Sequence, residues 1–590
     1  MEVESEDGSD AKHFTGTRAV VGALCTPTRT LKLHADQAKL EAARKTRKRI
    51  IVISLSSIIL VAIVVAAVVG TRGSSGSNKG SDAQPLSTSV KAVCDVTLYP
   101  DSCFASLSPL SNSTNIQPLD VFKLAIQVAM NEGSNAALKL SEPGFLNGFN
   151  DNMTTIAMEN CQEHLSLALD DLNSTLYAGS DSFLQVIDDL ITWLSSAGTC
   201  QQTCIDGFEN ANQTSIQTTI ADHLKNSTEL TSNGLAITTW LSNILGSVKL
   251  RRLMSYPENQ EEPEWLHPND SKLLQSPDLR HQANIIVGKD ASCEYKKIAD
   301  ALKQVPKKSD KRFVIYVKKG VYYENVLVDK NMWNVVMVGD GSTATIVSGN
   351  LNFVDGTPTF ATATFAVYGK GFVARDMGFR NNAGAIKQQA VALMSKSDLS
   401  IFYRCHIDAF QDTLCAHSNR QFYRECNIYG TVDFIFGNSA VVLQKCNISA
   451  KVPILGQQNT ITAQGKLDPN QNTGISIQGC TISPFGNLSS VQTYLGRPWK
   501  NYSTTVFLQN NLGSLINPNG WLPWVGTSAP STIFYSEYQN YGPGSSTKNR
   551  VKWKGVKTIN LQVASKFTVD KFIQGNKWIS ASGAPYQPGL

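Results

Sequence analysis

Two aspartates in the second half of the chain occupy matching positions in two similar segments. Asp412 lies seven residues after Cys405, and Asp433 lies seven residues after Cys426. If these segments stack on one another, the two carboxyl groups lie about one strand spacing apart, roughly 4.8 Å. Carboxyls that close titrate as a coupled pair, so one stays protonated while the other is ionised. Such a pair supplies a general acid and a nucleophile near neutral pH.

The plainer interpretation is that both aspartates belong to surface turns, as most aspartates do. The residues around them argue against it, because Asp433 opens the string DFIFG (433–437), in which apolar side chains follow the acid. An unpartnered carboxylate in such surroundings would be costly. The sequence therefore favours a paired, functional carboxyl.

The spacing of the aspartates is part of an internal repeat. Its copies are FVARDMGF (372–379), FYRCHI (402–407), FYRECNI (422–428), LQKCNI (443–448) and IQGCTI (477–482). Cys405, Cys426 and Cys446 stand 21 and 20 residues apart, and no long amphipathic helix follows the segment 295–305. This period predicts a parallel β-helix over 281–590. A β-sandwich, the alternative, would need hairpin signals that the sequence lacks.

A helical region precedes the repeat. From residue 89 to 250, apolar residues recur at three- and four-residue spacing, and no proline interrupts 150–250, which predicts a helical bundle. Residues 71–88 are rich in Ser and Gly and are typical of a linker. The polar, Pro-containing segment 251–280 is a second linker, exposed to proteolysis.

One apolar run is long enough to span a membrane. Residues 50–70 carry no charge and would form a helix of about 31 Å. Five basic residues close the 49-residue segment before it: Arg44, Lys45, Arg47, Lys48 and Arg49. The positive-inside tendency predicts a signal anchor with residues 1–49 in the cytosol. A cleaved signal peptide fits less well, since its apolar stretch is shorter and nearer the N-terminus.

The rest of the chain is then expected in the secretory lumen, where disulfides form. Of the twelve cysteines, Cys25 lies on the cytosolic side, and the odd number left over means that at least one thiol has no partner within the chain. Nine N-x-S/T sequons predict glycosylation. They are at Asn112, Asn152, Asn173, Asn212, Asn226, Asn269, Asn447, Asn487 and Asn501.

Charge divides the chain into two halves. Residues 279–590 contain 33 Lys and Arg against 17 Asp and Glu, a net charge of +16. Removing these from the totals of 53 and 48 leaves 20 and 31, a net charge of −11 for residues 1–278. The basic half predicts a polyanionic binding partner. The acidic half in front of it predicts that the two halves of the chain bind each other. Nucleic acid, the rival polyanion, is disfavoured by the lumenal placement.

Five motifs in order give residues 284–588 a resemblance to the plant pectin methylesterase family. They are GVYYE (320–324), QAVAL (389–393), QDT (411–413), DFIFG (433–437) and LGRPW (495–499). The resemblance implies a right-handed parallel β-helix that hydrolyses C6 methyl esters of homogalacturonan. The products are methanol and de-esterified pectin, and the setting is cell-wall modification.

The resemblance also implies the catalytic roles. Asp433 resembles the nucleophile, which Arg497 would keep ionised and oriented. The amide of Gln411 would stabilise the oxyanion of the transition state. Asp412 would protonate the departing methanol and then activate the water that releases the product.

Substrate contacts are implied for Thr359, Gln389 and Trp499, besides Arg497. Each has a plainer alternative as a turn, packing or ladder residue. No G-x-S-x-G elbow is present, which disfavours a serine esterase. The histidines after residue 280 have no zinc spacing, and no metal or organic cofactor is expected.

The helical part resembles the pectin methylesterase inhibitor family, which implies a four-helix bundle that caps the esterase cleft. The matching cysteines imply disulfides Cys94–Cys103 and Cys161–Cys204. The expected partners are therefore pectin, the chain's own inhibitor-like domain and separate inhibitor proteins.

Two further expectations come from the same resemblance. The string Arg251-Arg252-Leu253-Met254 resembles the family's processing motif, which implies cleavage by a processing protease. Cleavage there would release an extracellular, cell-wall enzyme from a membrane-tethered precursor. Cys426 and Cys446 are expected to form a disulfide between neighbouring coils.

Two other functions stay open from the sequence. A glycoside hydrolase on the same fold would also use paired acids, and would release reducing ends instead of methanol. Alternatively, the chain could be an inhibitor protein with an inactive esterase domain.

Overall fold

The computed structural model describes residues 88–108, 118–145, 151–209, 214–252 and 279–590. The predicted cytosolic tail, the signal anchor at 50–70, and the sequons at Asn112, Asn212 and Asn269 lie outside these residues. Within the described ranges, no helix has both the length and the apolar character needed to cross a bilayer. The chain from Pro85 onward forms one compact unit, in which a helical part precedes a β-rich part.

Five helices make up the described helical part. They are α1 (Thr88–Cys94), α2 (Pro100–Leu107), α3 (Pro118–Leu140), α4 (Asn152–Asp206) and α5 (Thr214–Arg252). The short helices α1 and α2 are joined by the disulfide Cys94–Cys103. The N-terminus of α4 is capped by Asp151, whose side chain accepts the N–H of Thr154.

Helix α4 reverses direction along its length. Its residues Cys161 and Cys204 form a disulfide with a Cα–Cα distance of 4.1 Å, whereas 43 residues of straight helix would span about 65 Å. The element therefore contributes two antiparallel legs, which pack with α3 and α5. The result is the predicted four-helix bundle, with both predicted disulfides of this part present.

Residues 279–590, all of which the structure describes, form a parallel β-helix of three sheets. Sheet A contains Ile285–Val287, Phe313–Val317, Val335–Gly339, Val373–Arg375, Ser400–Tyr403, Arg420–Arg424, Ala440–Gln444, Gly474–Gln478, Thr504–Leu508, Phe534–Tyr538 and Val556–Thr558. Sheet B contains Val326–Val328, Phe365–Val367, Leu393–Ser395, Leu414–Ala416, Ile435–Gly437, Asn459–Gln464 and Thr493–Gly496. Sheet C contains Gly320–Tyr323, Thr345–Gly349, Gly378–Asn381, His406–Asp408, Asn427–Gly430, Asn447–Ala450, Thr481–Pro484 and Asn511–Leu512.

Short helices close the ends and turns of the β-helix. They are Ile298–Leu302, Leu561–Ala564, Val569–Ile573 and Ile579–Ser582, with 3-10 turns at Thr359–Thr362, Ala385–Lys387, Ser565–Phe567 and Gly575–Lys577. The C-terminal helices cover sheet A, where Val569 and Ile573 join an apolar cluster with Phe422 and Val442. The outer face of sheet A is thereby shielded from water.

Similar side chains stack along the inside of the coils, as the repeat predicted. Phe402 and Tyr423 are register partners on adjacent strands, and their rings stack with centroids 4.7 Å apart. Such ladders fill the interior, because each coil buries its apolar face only against its neighbours.

The expected disulfide between Cys426 and Cys446 is not formed, and this prediction is wrong. Cys405, Cys426, Cys446 and Cys480 are buried free thiols in matching positions of successive coils. In-register stacking places these thiols beside one another, but a disulfide also requires a specific side-chain geometry, and no S–S bond joins them. The thiols bond to backbone carbonyls instead, as Cys426 Sγ does to Phe402 O at 3.2 Å.

The linker begins later than predicted. Arg251 and Arg252 are the last two residues of α5, so half of the processing motif is helical. Leu253, Met254 and the rest of the linker up to residue 278 lie outside the described residues.

Candidate active site

Asp412 and Asp433 hold the same position in two successive coils. Each lies two residues before a strand of sheet B, and the first residues of those strands, Leu414 and Ile435, are register partners. The backbone N–H of Asp412 donates to the carbonyl of Val432 at 3.0 Å, which ties the two turns together. Both side chains line one cleft.

Both aspartates have a left-handed backbone, with φ of 62° for Asp412 and 52° for Asp433. This region costs an L-residue roughly 1–2 kcal/mol, although Asp and Asn visit it more readily than bulkier residues. The conformation lets the chain turn from sheet C into sheet B while both acids face the cleft.

Asp433 is held by two neighbours from later coils. Arg497 donates from Nε at 2.8 Å to Oδ1 and from Nη2 at 2.6 Å to Oδ2, a two-pronged ion pair. The hydroxyl of Thr460 donates to Asp433 Oδ1 at 2.5 Å and accepts the Asp433 N–H at 2.8 Å. Since both side chains of the ion pair are largely shielded from water, its geometry is well defined.

The surroundings of Asp412 change its proton affinity. Burial, and then the negative charge of Asp433, raise the pKa of Asp412 well above its usual range, and Arg497 offsets this only in part. Burial would lower the pKa of Arg497, but the charge of Asp433 outweighs it and raises that pKa. The cleft thus contains one acid, Asp412, whose surroundings favour the protonated form, beside a second, Asp433, that is ion-paired with Arg497.

Two glutamines lie on the same wall of the cleft. Gln389 and Gln411 form a parallel β-bridge on adjacent coils, and both side chains line the cleft. The Oε1 atom of Gln389 is buried and makes no hydrogen bond within the described residues. The Oε1 atom of Gln389 is therefore available to a ligand at Asp412 and Asp433.

Aromatic side chains form the rest of the cleft wall. Trp499, Phe360 and Phe436 lie with ring centroids 6.2–6.5 Å apart, and Thr359 lies beside them on its 3-10 turn. All seven residues predicted for catalysis and substrate binding line this cleft. The structure therefore brings the whole predicted set together.

Two residues at the site were not predicted. Trp524 lies over the guanidinium of Arg497, with Arg497 Cζ 4.3 Å from the ring centroid, and Thr460 bonds Asp433 as described above. Thr460 stands in the β-rich run TITAQG (460–465), which could have identified it as the next coil's counterpart. Nothing in the sequence around Trp524 indicates its role.

Residues of the helical part enter the same cleft. Met153 from α4 lines it, and so do Asp206, Gly207 and Glu209 at the end of that helix. Leu167 packs against the apolar cluster that contains Phe360 and Phe436. The cleft is therefore covered by the helical part in this chain.

Polar contacts of three kinds extend this interface. Lys396 donates from Nζ to His164 Nε2 at 2.6 Å, and Arg420 pairs with Asp189 at 2.6 Å. Asn438 Nδ2 donates to Thr199 Oγ1 at 2.9 Å. Basic side chains of the β-helix thus meet acidic and neutral side chains of the bundle, as the charge division predicted.

The remaining predicted features have defined positions. Asn152, Asn173, Asn226, Asn447, Asn487 and Asn501, the sequon asparagines within the described residues, are all exposed. Cys200, Cys293 and Cys415 are buried free thiols. The described residues contain no cluster of three or more His, Cys, Asp or Glu that could hold a metal ion.

Comparisons with known proteins assign both parts to families. The family model described as Pectinesterase matches residues 284–576, and the one described as plant invertase/pectin methylesterase inhibitor matches residues 88–237. The probable pectinesterase/pectinesterase inhibitor 46 of Arabidopsis thaliana is 55% identical over 562 residues, covering 93% of this chain and 98% of its own. Pectinesterase 3 of Phaseolus vulgaris is 48% identical over 538 residues, covering 87% and 91%.

A solved structure of pectin methylesterase from carrot is also similar. It is 51% identical with a TM-score of 0.52, and the match covers 52% of this chain and 98% of the carrot chain. Fold and relatives together define the class of protein, a carboxylic ester hydrolase built on a parallel β-helix. The chain belongs to the pectinesterase family, and it carries a pectinesterase inhibitor domain in front of the enzyme.

Proposed function

We propose that this protein hydrolyses the C6 methyl esters of homogalacturonan through Asp433 and Asp412. The observation that carries the proposal is the pair itself: two acids from successive coils share one cleft, one with a raised pKa and one paired with Arg497. Near neutral pH such a pair supplies a proton donor and a nucleophile together.

In the first half of the reaction, a carboxylate oxygen of Asp433 attacks the ester carbonyl carbon. The side-chain amide of Gln411 donates to the oxyanion of the tetrahedral intermediate, a contribution of several kcal/mol in comparable sites. The C–O bond to the methoxy group then breaks, and Asp412 gives its proton to the departing oxygen, releasing methanol. Asp433 is left acylated by the galacturonate.

In the second half, water hydrolyses the acyl-enzyme. Asp412, now ionised, accepts one proton of the attacking water, whose oxygen bonds the acyl carbon. The bond to Asp433 breaks, and the galacturonic acid group leaves and gives its remaining proton to the solvent. Arg497 orients Asp433 throughout, and we assign substrate contacts to Thr359, Gln389, Arg497 and Trp499, with Trp499 as a stacking surface for a sugar ring.

The test is methanol release from methylated homogalacturonan by residues 253–590, which contain the whole described β-helix. The match with the carrot enzyme covers 98% of that chain but only 52% of this one. We expect Asp433→Asn and Asp412→Asn to lose nearly all activity and Asp408→Asn to keep it. Asp408 lies on the same coil and bonds Lys451 and Arg380 instead of lining the cleft. Full activity in either cleft variant would refute the assignment, and new reducing ends without methanol would favour a glycoside hydrolase.

We also propose that the helical domain inhibits the enzyme until it is removed. Support comes from Met153, Asp206 and Glu209, which occupy the cleft beside Asp412 and Asp433. The full chain should then release methanol much more slowly than residues 253–590. Equal rates per mole of enzyme would contradict autoinhibition. An active esterase domain would also exclude a purely inhibitory protein.

The remaining proposals concern maturation. A protease cleaves at Arg251-Arg252-Leu253-Met254. Residues 50–70 anchor the precursor in the secretory membrane, with the N-terminal tail in the cytosol. The mature glycoprotein is extracellular and lies in the cell wall. Separate inhibitor proteins compete for the exposed cleft. N-terminal sequencing of the secreted enzyme tests the cleavage, and a start anywhere before residue 251 would contradict it.

A further inference from the structure

Asp206 of the helical domain forms an ion pair with Lys500 in a cavity next to the cleft. Lys500 Nζ donates to Asp206 Oδ1 at 2.8 Å, and the two side chains are only 17% and 7% exposed. A second carboxyl, Glu209, lies close by: burial and the charge of Asp206 raise its pKa, whereas Lys500 lowers it. The domain therefore presents two carboxyl groups to one cation.

Lys500 lies in a cavity that adjoins the cleft. Its cavity is lined by Lys500, Trp499, His417 and Asp206. Trp499 and Asp206 also line the cleft that contains Asp412 and Asp433. The ammonium of Lys500 lies 4.9 Å from the centroid of the Trp499 ring, so the cation and the proposed sugar-stacking surface are adjacent.

Lys500 differs from Arg420 in what remains when the helical domain leaves. Arg420 keeps its bidentate bond to Asp398 of the β-helix. For Lys500, the ion pair in the described residues is with Asp206 alone, so removal of the domain leaves an unpaired ammonium in an open groove. A groove that accepts a polyuronate would offer that ammonium another carboxylate.

We propose that Lys500 forms a subsite for the carboxylate of a de-esterified galacturonate near the reacting ester, and that Asp206 stands in for this carboxylate in the full chain. The proposal rests on the proposed function and refines its substrate class to partly de-esterified homogalacturonan. The attraction is between a partly shielded ammonium and a carboxylate, so it weakens with salt.

The experiment uses residues 253–590, so that Asp206 is absent. Methanol release is measured on fully methylated and on half de-esterified homogalacturonan at equal ester concentration. We expect Lys500→Gln to raise KM about 5- to 10-fold on the half de-esterified polymer, and to leave KM on the fully methylated polymer unchanged. Lys500→Arg should keep most of the wild-type preference, which added salt should reduce.

Lys330→Gln is the matched control. Lys330 also pairs across the interface, with Asp170 at 2.5 Å, but lines neither cavity, so this variant should behave as wild type on both polymers. An equal loss on both polymers, or no change on either, in Lys500→Gln would overturn the subsite. These results differ from a failure of the proposed function, in which wild type releases no methanol from either polymer.

Discussion

Thr460 and Asp433 exchange two hydrogen bonds across adjacent coils. The threonine hydroxyl donates to Asp433 Oδ1 and accepts the Asp433 backbone N–H. Because Thr460 is fully buried, no water replaces either bond. The hydroxyl therefore fixes both the backbone and the carboxylate of the proposed nucleophile.

Replacing Thr460 by valine should slow catalysis. A hydrogen bond to a charged group is worth about 1.5–3 kcal/mol, so we expect kcat for methanol release to fall roughly 10- to 100-fold. The KM should change little, because Thr460 does not line the cleft. Steady-state kinetics on residues 253–590 measure both constants.

Thr460→Ser is the control for this variant, since serine can make both hydrogen bonds. It should recover most of the lost kcat, and circular dichroism should show the same fold in all three proteins. A serine variant as slow as the valine variant would mean that the methyl group, not the hydroxyl, matters.

Arg497→Lys should reduce activity by about 100-fold or more. Lysine keeps the charge but cannot supply two parallel N–H donors to one carboxylate. Arg404→Lys is matched to it, because Arg404 makes the same two-pronged contact with Asp376 outside the cleft. If both variants lost activity equally, the effect would come from folding and not from the site.

Asp412→Asn should stabilise the fold at neutral pH while abolishing activity. The folded chain holds the proton of Asp412 to a higher pH than the unfolded chain does, so wild-type stability declines as pH rises above the ordinary carboxyl range. The gain in melting temperature should therefore be large at pH 7.5 and small at pH 4. Thermal melts at the two pH values provide the comparison.

Asp408→Asn should show the opposite sign. Burial would raise the pKa of Asp408, but His406 and Lys451 outweigh it and lower that pKa to about 2. Its carboxylate thus stabilises the fold above the ordinary carboxyl range, and this contribution is lost as pH falls toward 2. A stabilised Asp408→Asn variant at pH 7.5 would contradict this argument.

Docking of the helical domain should depend on the charge of His164. Its Nε2 accepts from Lys396 while Nδ1 lies 2.6 Å from the carbonyl of Asn160, which fits the neutral ring. Burial, and then Lys396, lower its pKa, and they do the same for His417 nearby. Docking is therefore favoured above the ordinary histidine pKa and weakens as pH falls below it.

The activity ratio of residues 253–590 to the full chain measures this docking. Between pH 7.5 and 5.5 the ratio should fall more steeply in wild type than in His164→Gln. Asp171 and Glu209, whose pKa values are raised by burial, act in the opposite direction, but equally in both proteins. Identical slopes would exclude His164 as a contributor.

The repeat spacing was sufficient to predict the β-helix and the pairing of the acids. Cys405 and Cys426 are 21 residues apart, as are Asp412 and Asp433, and the coils between them contain no insertion. Because the two coils are equal in length, residues one repeat period apart in the sequence occupy the same position in successive coils. Three of the five motifs supplied Gln389, Gln411, Arg497 and Trp499.

Contacts with residues outside these two coils could not be predicted from the repeat spacing. Thr460 follows Asp433 by 27 residues, and Cys480 follows Cys446 by 34, because longer loops interrupt the period. The failed Cys426–Cys446 disulfide has another cause: spacing gives proximity but not the direction of a side chain. The contact of Trp524 with Arg497 depends on the path of a loop, on which the repeat carries no information.

The left-handed backbone at Asp412 and Asp433 serves the proposed function but lowers the stability of the fold. At each one the chain tolerates an unfavourable backbone angle, and at Asp412 it also buries a group that water would hold better. Asparagine accepts the same angle without a charge. At Asp412, a descendant freed from selection for esterase activity should therefore drift toward asparagine or glycine, and its fold should gain stability as its activity is lost. At Asp433 the same change would leave Arg497 without its ion-pair partner.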